Sequence, residues 1–366
     1  MSEIIPANLY RPIYIYISIV LTIFYYIQLD KGYGLSNKKR GYGIILFYAI
    51  AFIIFVGFRP ISGFYFGDTS NYARIFYILQ GNPNLPNRED EWIFDYITWW
   101  CAQNMGVHSY FLIIEILYIV PVLIACKKIC PNNPAVMMLF FMTSFSFFSY
   151  GTNGIRNGMA CSLIILAMAY TFDKKKRKLL ISLLLAFIAY GCHKSTALPI
   201  LAMLVCLFFK NTKLLIYFWI LSIVISLVAG SQVEAFFTSL GFDDRMSAYS
   251  SSDIDADIFS STGFRWDFLL YSAMPILLGW YVVFKRGIIN ENYSYLLNIY
   301  ILCNSFWIMM IRASYSNRFA YLSWFLYPIV LAYPLLSFKV FQDKNNSKVA
   351  LILVAHTAFT IIMSLL

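Results

Sequence analysis

The chain of 366 residues is 60% hydrophobic and 19% aromatic, and only 13% of its residues are charged. In a soluble domain about a quarter of the residues are charged, so this composition and the mean hydropathy of +0.67 exclude that class. Apolar runs recur along the whole length, and in lipid each run can satisfy its backbone hydrogen bonds only as a helix. The composition therefore predicts an all-α polytopic integral membrane protein with one transmembrane domain over residues 1–366.

The apolar runs predict about twelve membrane-spanning helices. We place them in chain order at about 10–29, 41–58, 108–126, 134–150, 157–172, 179–192, 195–209, 214–230, 267–284, 293–311, 319–338 and 349–365. The run over 179–209 is too long for one ordinary span, and its polar interruption at 192–195 predicts a tight helical hairpin. Because the first nine residues lack a basic segment and a cleavage site, we expect the first span to be retained.

The basic residues predict the orientation of these spans, since cytoplasmic loops of membrane proteins are enriched in Lys and Arg. With both termini outside, the inner loops hold eighteen of the 28 basic residues, and fifteen of the eighteen are lysines. Nine of the ten outer basic residues are arginines. Arginine binds phosphate or carboxylate through two parallel hydrogen bonds, so these residues predict an outer anion-binding face. The alternative is that the arginines lie at helix ends or pair with outer carboxylates.

The net charge of +10 does not indicate a nucleic-acid-binding protein, because the inner half of the charge is the orientation signal. The sequence also lacks a basic strip interleaved with aromatic residues, which a nucleic-acid-binding module would need. Seven cysteines are scattered along the chain and show neither a disulfide framework nor a zinc spacing. We predict no nucleic-acid partner and no structural zinc site.

Two predicted outer segments, at about 59–107 and 231–266, are long enough to cover a functional site. In the first, Asp68 and Tyr72 share a face if Asp68 begins a short helix, although Asp68 could act there only as a helix cap. The second is rich in aspartate and resembles a mobile lid. The aspartates over 253–257 lack the turn glycine and the distal glutamate of a calcium loop, so we predict no metal site.

Further polar residues lie at predicted outer ends of spans. Arg156 begins the fifth span between two glycines, and a guanidinium at a helix N-terminus suits an anion because backbone N–H groups and the helix dipole also attract phosphate. Of the three histidines, His193 is the best placed to titrate or to form hydrogen bonds at a functional centre. Other candidates are Arg59, Lys194, Arg265, Arg312, Arg318 and Tyr321.

Four sets of these residues occur in one order and on one predicted face. They are Gly57-Phe58-Arg59 followed by Gly67-Asp68 and Tyr72, Arg156-Asn157 with Ala160, His193-Lys194-Ser195, and Arg318-Phe319 with Tyr321. Together they resemble the EpsG family of bacterial exopolysaccharide membrane proteins, which is similar to the Wzy-type O-antigen and capsule polymerases. The resemblance spans nearly the whole chain. It departs at Asn157, where a Gln is expected after the arginine.

The resemblance implies a glycosyltransferase with a GT-C-like fold that polymerises polyprenyl-diphosphate-linked oligosaccharide at the outer face of the bacterial inner membrane. We expect an inverting, metal-independent reaction without a cofactor, in which Asp68 or His193 is the general base. Arg156 would stabilise the departing diphosphate, with Arg312, Arg318, Arg59 and Arg265. Tyr72 and Tyr321 would stack on sugars, and Lys194 would bind substrate. Membrane lipid, a flippase and a chain-length regulator are the other expected partners.

Three alternatives remain open on the sequence. A transporter or flippase of lipid-linked sugars predicts polar groups through the bilayer centre, whereas Glu115 is the ionisable residue deep in a predicted span. A membrane acyltransferase would use His193 as its base but explains the outer arginines poorly. A structural partner of a polysaccharide assembly complex would tolerate changes at Arg156 and Arg318.

Overall fold

The computed structural model describes residues 5–31, 38–85, 91–173, 175–239, 264–312 and 317–365. Within these segments the chain forms helices, turns and short connections, and no β-strand. The all-α prediction is confirmed for them. The α-helices are α1 Tyr10–Asp30, α2 Lys38–Gly57, α3 Gly63–Phe66, α4 Thr69–Gln80, α5 Trp92–Asn104, α6 Val107–Ile129, α7 Pro134–Met142, α8 Phe147–Thr152, α9 Ile155–Thr171, α10 Lys176–Cys192, α11 Ala197–Phe208, α12 Thr212–Ser239, α13 Trp266–Trp280, α14 Glu291–Met309, α15 Asn317–Trp324, α16 Tyr327–Ser337 and α17 Asn345–Leu365.

The helices form two compact units. The first contains Met1–Ala197 together with Ala332–Leu366, and the second contains Leu198–Leu331. In the first unit α6 packs against α2 and α9, α9 packs against α10, and α1 packs against α17. The prediction of a single transmembrane domain over 1–366 stays a prediction, because compact units of a membrane protein do not by themselves define domains.

An aromatic core lies between α4, α5, α6 and α9 of the first unit. It contains Phe76, Phe94, Tyr110 and Phe111, each with 3% or less of its surface exposed. Tightly packed side chains of this size gain many dispersion contacts, which are a main source of helix association in lipid. This core fixes the relative positions of the helix ends that carry the candidate residues.

A buried polar network connects the helices of the second unit. The Trp219 indole donates to Asn304 Oδ1 at 2.8 Å, and Asn304 donates onward to Ser323 Oγ at 3.1 Å. The Trp324 indole donates to Ser272 Oγ at 2.7 Å. Side-chain hydrogen bonds between helices are a common means of association where the surroundings are apolar. They link α12, α14 and α15 in this unit, and α13 to α15.

Six helical segments of the described chain are long and apolar enough to cross a membrane. They are Ala7–Asp30, Val107–Ile129, Thr212–Val233, Trp266–Lys285, Phe319–Ser337 and Asn345–Ser364. Each coincides with one of the predicted spans, at 10–29, 108–126, 214–230, 267–284, 319–338 and 349–365. These helices support a multi-pass membrane protein, but the predicted number of twelve spans is wrong.

The other predicted spans form helices that are too short, broken or polar. Helix α2 has 20 residues, but it begins with the basic residues 38–40, and its apolar part covers 42–57. This part and the apolar helices over 155–171 and 194–208 have at most 17 residues. At 1.5 Å per residue, 17 residues reach about 25 Å, less than the ~30 Å hydrocarbon core. The predicted hairpin over 179–209 contains α10, also of 17 residues, and the shorter α11. Helix α14, over the predicted span 293–311, is 19 residues long but carries buried asparagines at 298 and 304.

The predicted span at 134–150 breaks because its hydroxyl groups compete for helix carbonyls. Thr143 Oγ1 donates to the Leu139 carbonyl, and Ser144 Oγ donates to the Phe141 carbonyl, both at 2.8 Å. Such local hydrogen bonds offer the backbone an alternative to the helix ladder. The run therefore divides into α7 and α8.

Candidate functional site

Two predicted residues, Arg156 and His193, lie against one carboxylate in the first unit, and a third, Tyr72, contacts Arg156. Arg156 lies in the first turn of α9, and His193 follows the last residue of α10. Because α9 and α10 are joined by a short connection and pack as a hairpin, these two residues lie at the same end. Tyr72 comes from α4, and the carboxylate is that of Glu91, which directly precedes α5.

Arg156 is held by an acidic and an aromatic partner. Its NH1 group pairs with Glu91 Oε2, and its Nε donates to Tyr72 Oη at 3.2 Å. The guanidinium carbon lies 5.6 Å from the centre of the Tyr72 ring and 5.9 Å from that of Phe94. The Arg156 side chain is 18% exposed and that of Glu91 is 12% exposed. Charges that are partly withdrawn from water in this way interact more strongly than charges on an open surface.

The ring of His193 has a polar neighbour at each of its two nitrogens. Its Nδ1 accepts from the Ser195 backbone N–H at 3.2 Å, and Ser195 Oγ lies 2.7 Å from the same nitrogen. With Nδ1 as an acceptor, the neutral ring carries its hydrogen on Nε2. Nε2 lies 3.7 Å from Glu91 Oε1. Glu91 therefore has one carboxylate oxygen towards Arg156 and the other towards His193.

Asp68 is held near this cluster by a glycine turn. Its backbone N–H donates to Asn153 Oδ1 at 2.8 Å, and its carboxylate accepts from Asn71 Nδ2 at 3.1 Å. Gly67 has a φ of +55°, and a Cβ there would lie 2.3 Å from Asn153 Oδ1. Only glycine allows this backbone conformation and this close approach. Asp68 precedes α4, as the short-helix prediction required, but its side chain makes no capping hydrogen bond, so the carboxylate stays exposed.

Arg59 is buried among protein groups. Its side chain is fully inaccessible, and it donates to Thr69 Oγ1 at 3.2 Å and to the Thr152 carbonyl at 3.3 Å. Its NH1 group lies 3.5 Å from Glu115 Oε1, and the guanidinium stacks over Phe111 at 4.5 Å. Burial lowers the pKa of the Arg59 guanidinium, and the Glu115 carboxylate acts in the opposite direction. These contacts connect α2, α4 and α6 beside the cluster, and the predicted substrate-binding role of Arg59 stays a prediction.

The remaining predicted residues are distributed over the two units. Lys194 begins a 3₁₀ turn beside His193. Arg265, Arg312, Arg318 and Tyr321 belong to the second unit. Arg265 pairs with Asp267 at 2.6 Å and stacks on Phe268, whereas Arg312 is exposed in the turn that follows α14. Arg318 and Tyr321 lie in α15. The aspartates of the predicted lid, 243–257, lie outside the described residues.

Glu91 is the member of the cluster that the sequence did not single out. It lies 65 residues from Arg156 along the chain. Its only local signal is its position directly before a helix, where acidic residues are common because they favour the helix dipole. Among the described residues, no group of three or more His, Cys, Asp or Glu side chains is arranged to hold a metal ion. The metal-independent reaction stays a prediction.

The family model that matches the sequence is that of the EpsG family, over residues 43–366. This chain belongs to the EpsG family. The match contains all four sets of residues on which the resemblance was based, from Gly57 to Tyr321, and confirms it. EpsG membership points to a membrane protein of exopolysaccharide biosynthesis. Comparison with curated proteins and with solved structures gave no significant match, so the GT-C-like fold expected for this EpsG protein stays a prediction.

Proposed function

We propose that this EpsG protein is a polysaccharide polymerase, a glycosyltransferase that joins polyprenyl-diphosphate-linked oligosaccharide repeats at the outer face of the bacterial inner membrane. The observation that carries the proposal is the arrangement of Arg156 and His193 on opposite oxygens of Glu91. It combines a permanent cation with an ionisable base. In a glycosyl transfer from a diphosphate donor, the cation stabilises the leaving group and the base accepts the proton of the attacking hydroxyl.

In the proposed reaction, a hydroxyl of the acceptor glycan attacks the anomeric carbon of the donor with inversion. The bond from that carbon to the diphosphate oxygen breaks, and polyprenyl diphosphate leaves with the electron pair. Arg156, at the N-terminus of α9, stabilises the negative charge that develops on the leaving group. Tyr72 orients the guanidinium through its hydroxyl, and its ring, which is 7% exposed, packs edge-on against Phe94.

His193 is the better supported of the two candidate bases. An acceptor hydroxyl that replaces the Ser195 hydroxyl at Nδ1 would give its proton to that nitrogen. Asp68 is the second candidate, because its carboxylate is exposed near the same end of α9. Lys194, Arg59, Arg265, Arg312, Arg318 and Tyr321 are proposed to contribute to substrate binding, directly or by supporting the site.

The direction of the helices supports an outward-facing site. Arg156 and His193 lie at one end of the α9–α10 hairpin, and the basic residues 175–178 lie at the other end. Similarly, α2 begins with the basic residues 38–40 and ends beside Arg59, and α6 ends with Lys127 and Lys128. Of these helices α6 is long enough to cross the membrane, and α2 and α9 pack against it. Since the lysine-rich ends favour the cytoplasm, the opposite ends with the candidate site are proposed to face outwards.

The test is transfer by the purified protein in liposomes that contain a defined polyprenyl-diphosphate-linked repeat, with and without a chelator. We expect a ladder of products with release of polyprenyl diphosphate. Arg156→Ala should lower the rate by about 10²–10³-fold, the usual loss for a group that stabilises developing charge. Arg74→Ala is the matched control, because Arg74 is an exposed arginine of α4 in the same unit. Movement of intact lipid-linked repeat between leaflets without transfer would favour a flippase instead.

One observation favours the acyltransferase alternative. Ser195 Oγ, the His193 ring and Glu91 form a series in which a hydroxyl, a base and a carboxylate follow one another. The same order of groups activates serine nucleophiles in unrelated enzymes. Ser195→Ala separates the two functions, because a polymerase that uses His193 as its base retains activity, whereas an acyltransferase with Ser195 as its nucleophile loses it.

A further inference from the structure

We propose that Glu91 is a positioning residue whose carboxylate occupies the anion position on Arg156 until the diphosphate of the donor displaces it. After this displacement, Glu91 remains on His193 and holds the ring in its reactive orientation. The proposal deepens the proposed function and rests on it for the identity of the donor. Its physical content is an exchange of one anion for another on the same guanidinium.

The geometry provides a direct competitor for the diphosphate. The NH1 group of Arg156 pairs with Glu91 Oε2, and the Nε group donates to Tyr72. A ligand that binds both terminal nitrogens of the guanidinium must therefore replace the carboxylate at NH1. A diphosphate carries more charge than a carboxylate and also attracts the N-terminal N–H groups of α9, so it has the advantage in this exchange.

The second oxygen of Glu91 lies near His193, so the residue that competes with the diphosphate at Arg156 also acts on the proposed base. Oε1 faces Nε2 of His193 at 3.7 Å, on the side of the ring opposite the Ser195 hydrogen bonds. At 3.7 Å the carboxylate acts on the ring through its charge: it favours the hydrogen on Nε2, which leaves Nδ1 as the proton acceptor, and it stabilises the imidazolium once the proton is transferred. Glu91 thus weakens donor binding at Arg156 and strengthens the base.

Glu91 is held in place by its neighbours in the chain. Its carbonyl accepts the N–H of Asp95 at 3.0 Å, which begins α5. Trp92 and Ile93 pack closely against Gly191 of α10, where a Cβ would lie 2.7 Å from Ile93 Cδ1. This contact joins the start of α5 to the end of α10, two residues before His193. The carboxylate is therefore positioned by packed helices.

The proposal is tested with Glu91→Gln in the full-length protein, which keeps the shape of the side chain and removes its charge. Calorimetry with inorganic diphosphate should show about tenfold tighter binding than in the unsubstituted protein, since a competing charge is lost. In the transfer assay, the donor KM should fall while kcat falls by about 10²-fold, the usual contribution of a positioned base. A purely structural defect would weaken binding and lower kcat together.

Controls make the outcome specific. Glu291 is an exposed glutamate that begins α14 and lies 4.0 Å from Lys210. Glu291→Gln should change neither diphosphate binding nor the kinetics of transfer. Arg156→Ala should abolish diphosphate binding. If Glu91→Gln fails to fold, Glu91→Asp provides the same test, because its shorter carboxylate retracts from both partners and should give a smaller change in the same directions.

Unchanged or weaker diphosphate binding by the folded variant would overturn the proposal. This outcome is separate from failure of the proposed function. If the unsubstituted protein transfers no sugar but Glu91→Gln still binds diphosphate more tightly than the unsubstituted protein does, the polymerase proposal is wrong and the proposed exchange of anions at Arg156 is supported. If transfer occurs and Glu91→Gln does not change diphosphate binding, the polymerase proposal is supported and the proposed role of Glu91 is wrong.

Discussion

Arg59 and Glu115 illustrate how a charge can be part of the core of a membrane protein. Both side chains have 1% or less of their surface exposed, and their ion pair lies beside the aromatic core of the first unit. Glu115 Oε2 has no hydrogen-bond partner among the described residues, so the carboxylate depends on Arg59. Removing one member of a buried ion pair costs more than replacing both, because the remaining charge is left without compensation.

We therefore expect Arg59→Met to lower the free energy of unfolding by about 3–5 kcal/mol. The double variant Arg59→Met/Glu115→Leu should recover most of this loss. Thermal unfolding of the purified proteins in detergent measures both effects. A double variant as unstable as the single one would show that the neutral hydrogen bonds of Arg59 matter more than the charge. A stable double variant without transfer activity would favour a direct role for Arg59 in substrate binding.

Gly67 is a second residue at which one side chain decides the local structure. Gly67→Ala should lower the free energy of unfolding by about 1–3 kcal/mol, since it forces a side chain into a strained backbone conformation. It should also reduce transfer, because the new Cβ displaces Asn153 from the Asp68 N–H. Gly43→Ala is the control, as a Cβ at Gly43 meets no atom within 4 Å. Equal behaviour of the two variants in unfolding and transfer assays would contradict this assignment.

At the scale of elements, close packing of α9 fixes where Arg156 lies. Gly158 is two residues from Arg156, and a Cβ there would lie 2.8 Å from the Tyr150 carbonyl oxygen of α8. A backbone carbonyl cannot rotate away as a flexible side chain can. The absence of a side chain at Gly158 therefore lets the start of α9 approach α8, and the position of the guanidinium follows from this approach.

Gly158→Ala should displace the start of α9 and reduce transfer by more than its loss of stability would suggest. The expected destabilisation is about 1–3 kcal/mol, as for other overpacked contacts. Rates of transfer, measured at a temperature where the variant is fully folded, separate the two effects. Gly81→Ala is the control, because the nearest atom to its Cβ is 3.8 Å away. Full activity of folded Gly158→Ala would show that α9 tolerates the shift.

At the scale of the whole molecule, the orientation in the membrane is a proposal that labelling can test. All seven native cysteines are buried, so we expect little labelling of them, and the labelling of an introduced cysteine can be measured. Asn104→Cys, at the end of α5 and near the start of α6, should react with a membrane-impermeant maleimide in intact cells. Lys176→Cys should react only after permeabilisation. The reverse pattern would place the candidate site in the cytoplasm and contradict the polymerase.

Much of the fold follows from local properties of the sequence. The membrane class follows from composition, and six predicted spans coincide with long apolar helices, because length and hydropathy are properties of the segment itself. The other predicted spans were wrong because a few polar groups, or a few residues of length, determine whether an apolar run forms one helix long enough to cross the membrane. In the run at 134–150, two hydroxyl groups end a helix that hydropathy extends.

The candidate site divides in the same way. The sequence by itself determined the family and indicated Arg156, His193 and Tyr72, because residue type, order and charge asymmetry are readable along the chain. Only the tertiary structure brought Arg156 and His193 to Glu91, placed Tyr72 on Arg156 and buried Arg59 against Glu115. Glu91 is 65 residues from Arg156, and pairing over such a distance depends on how several helices pack together, which no local pattern encodes.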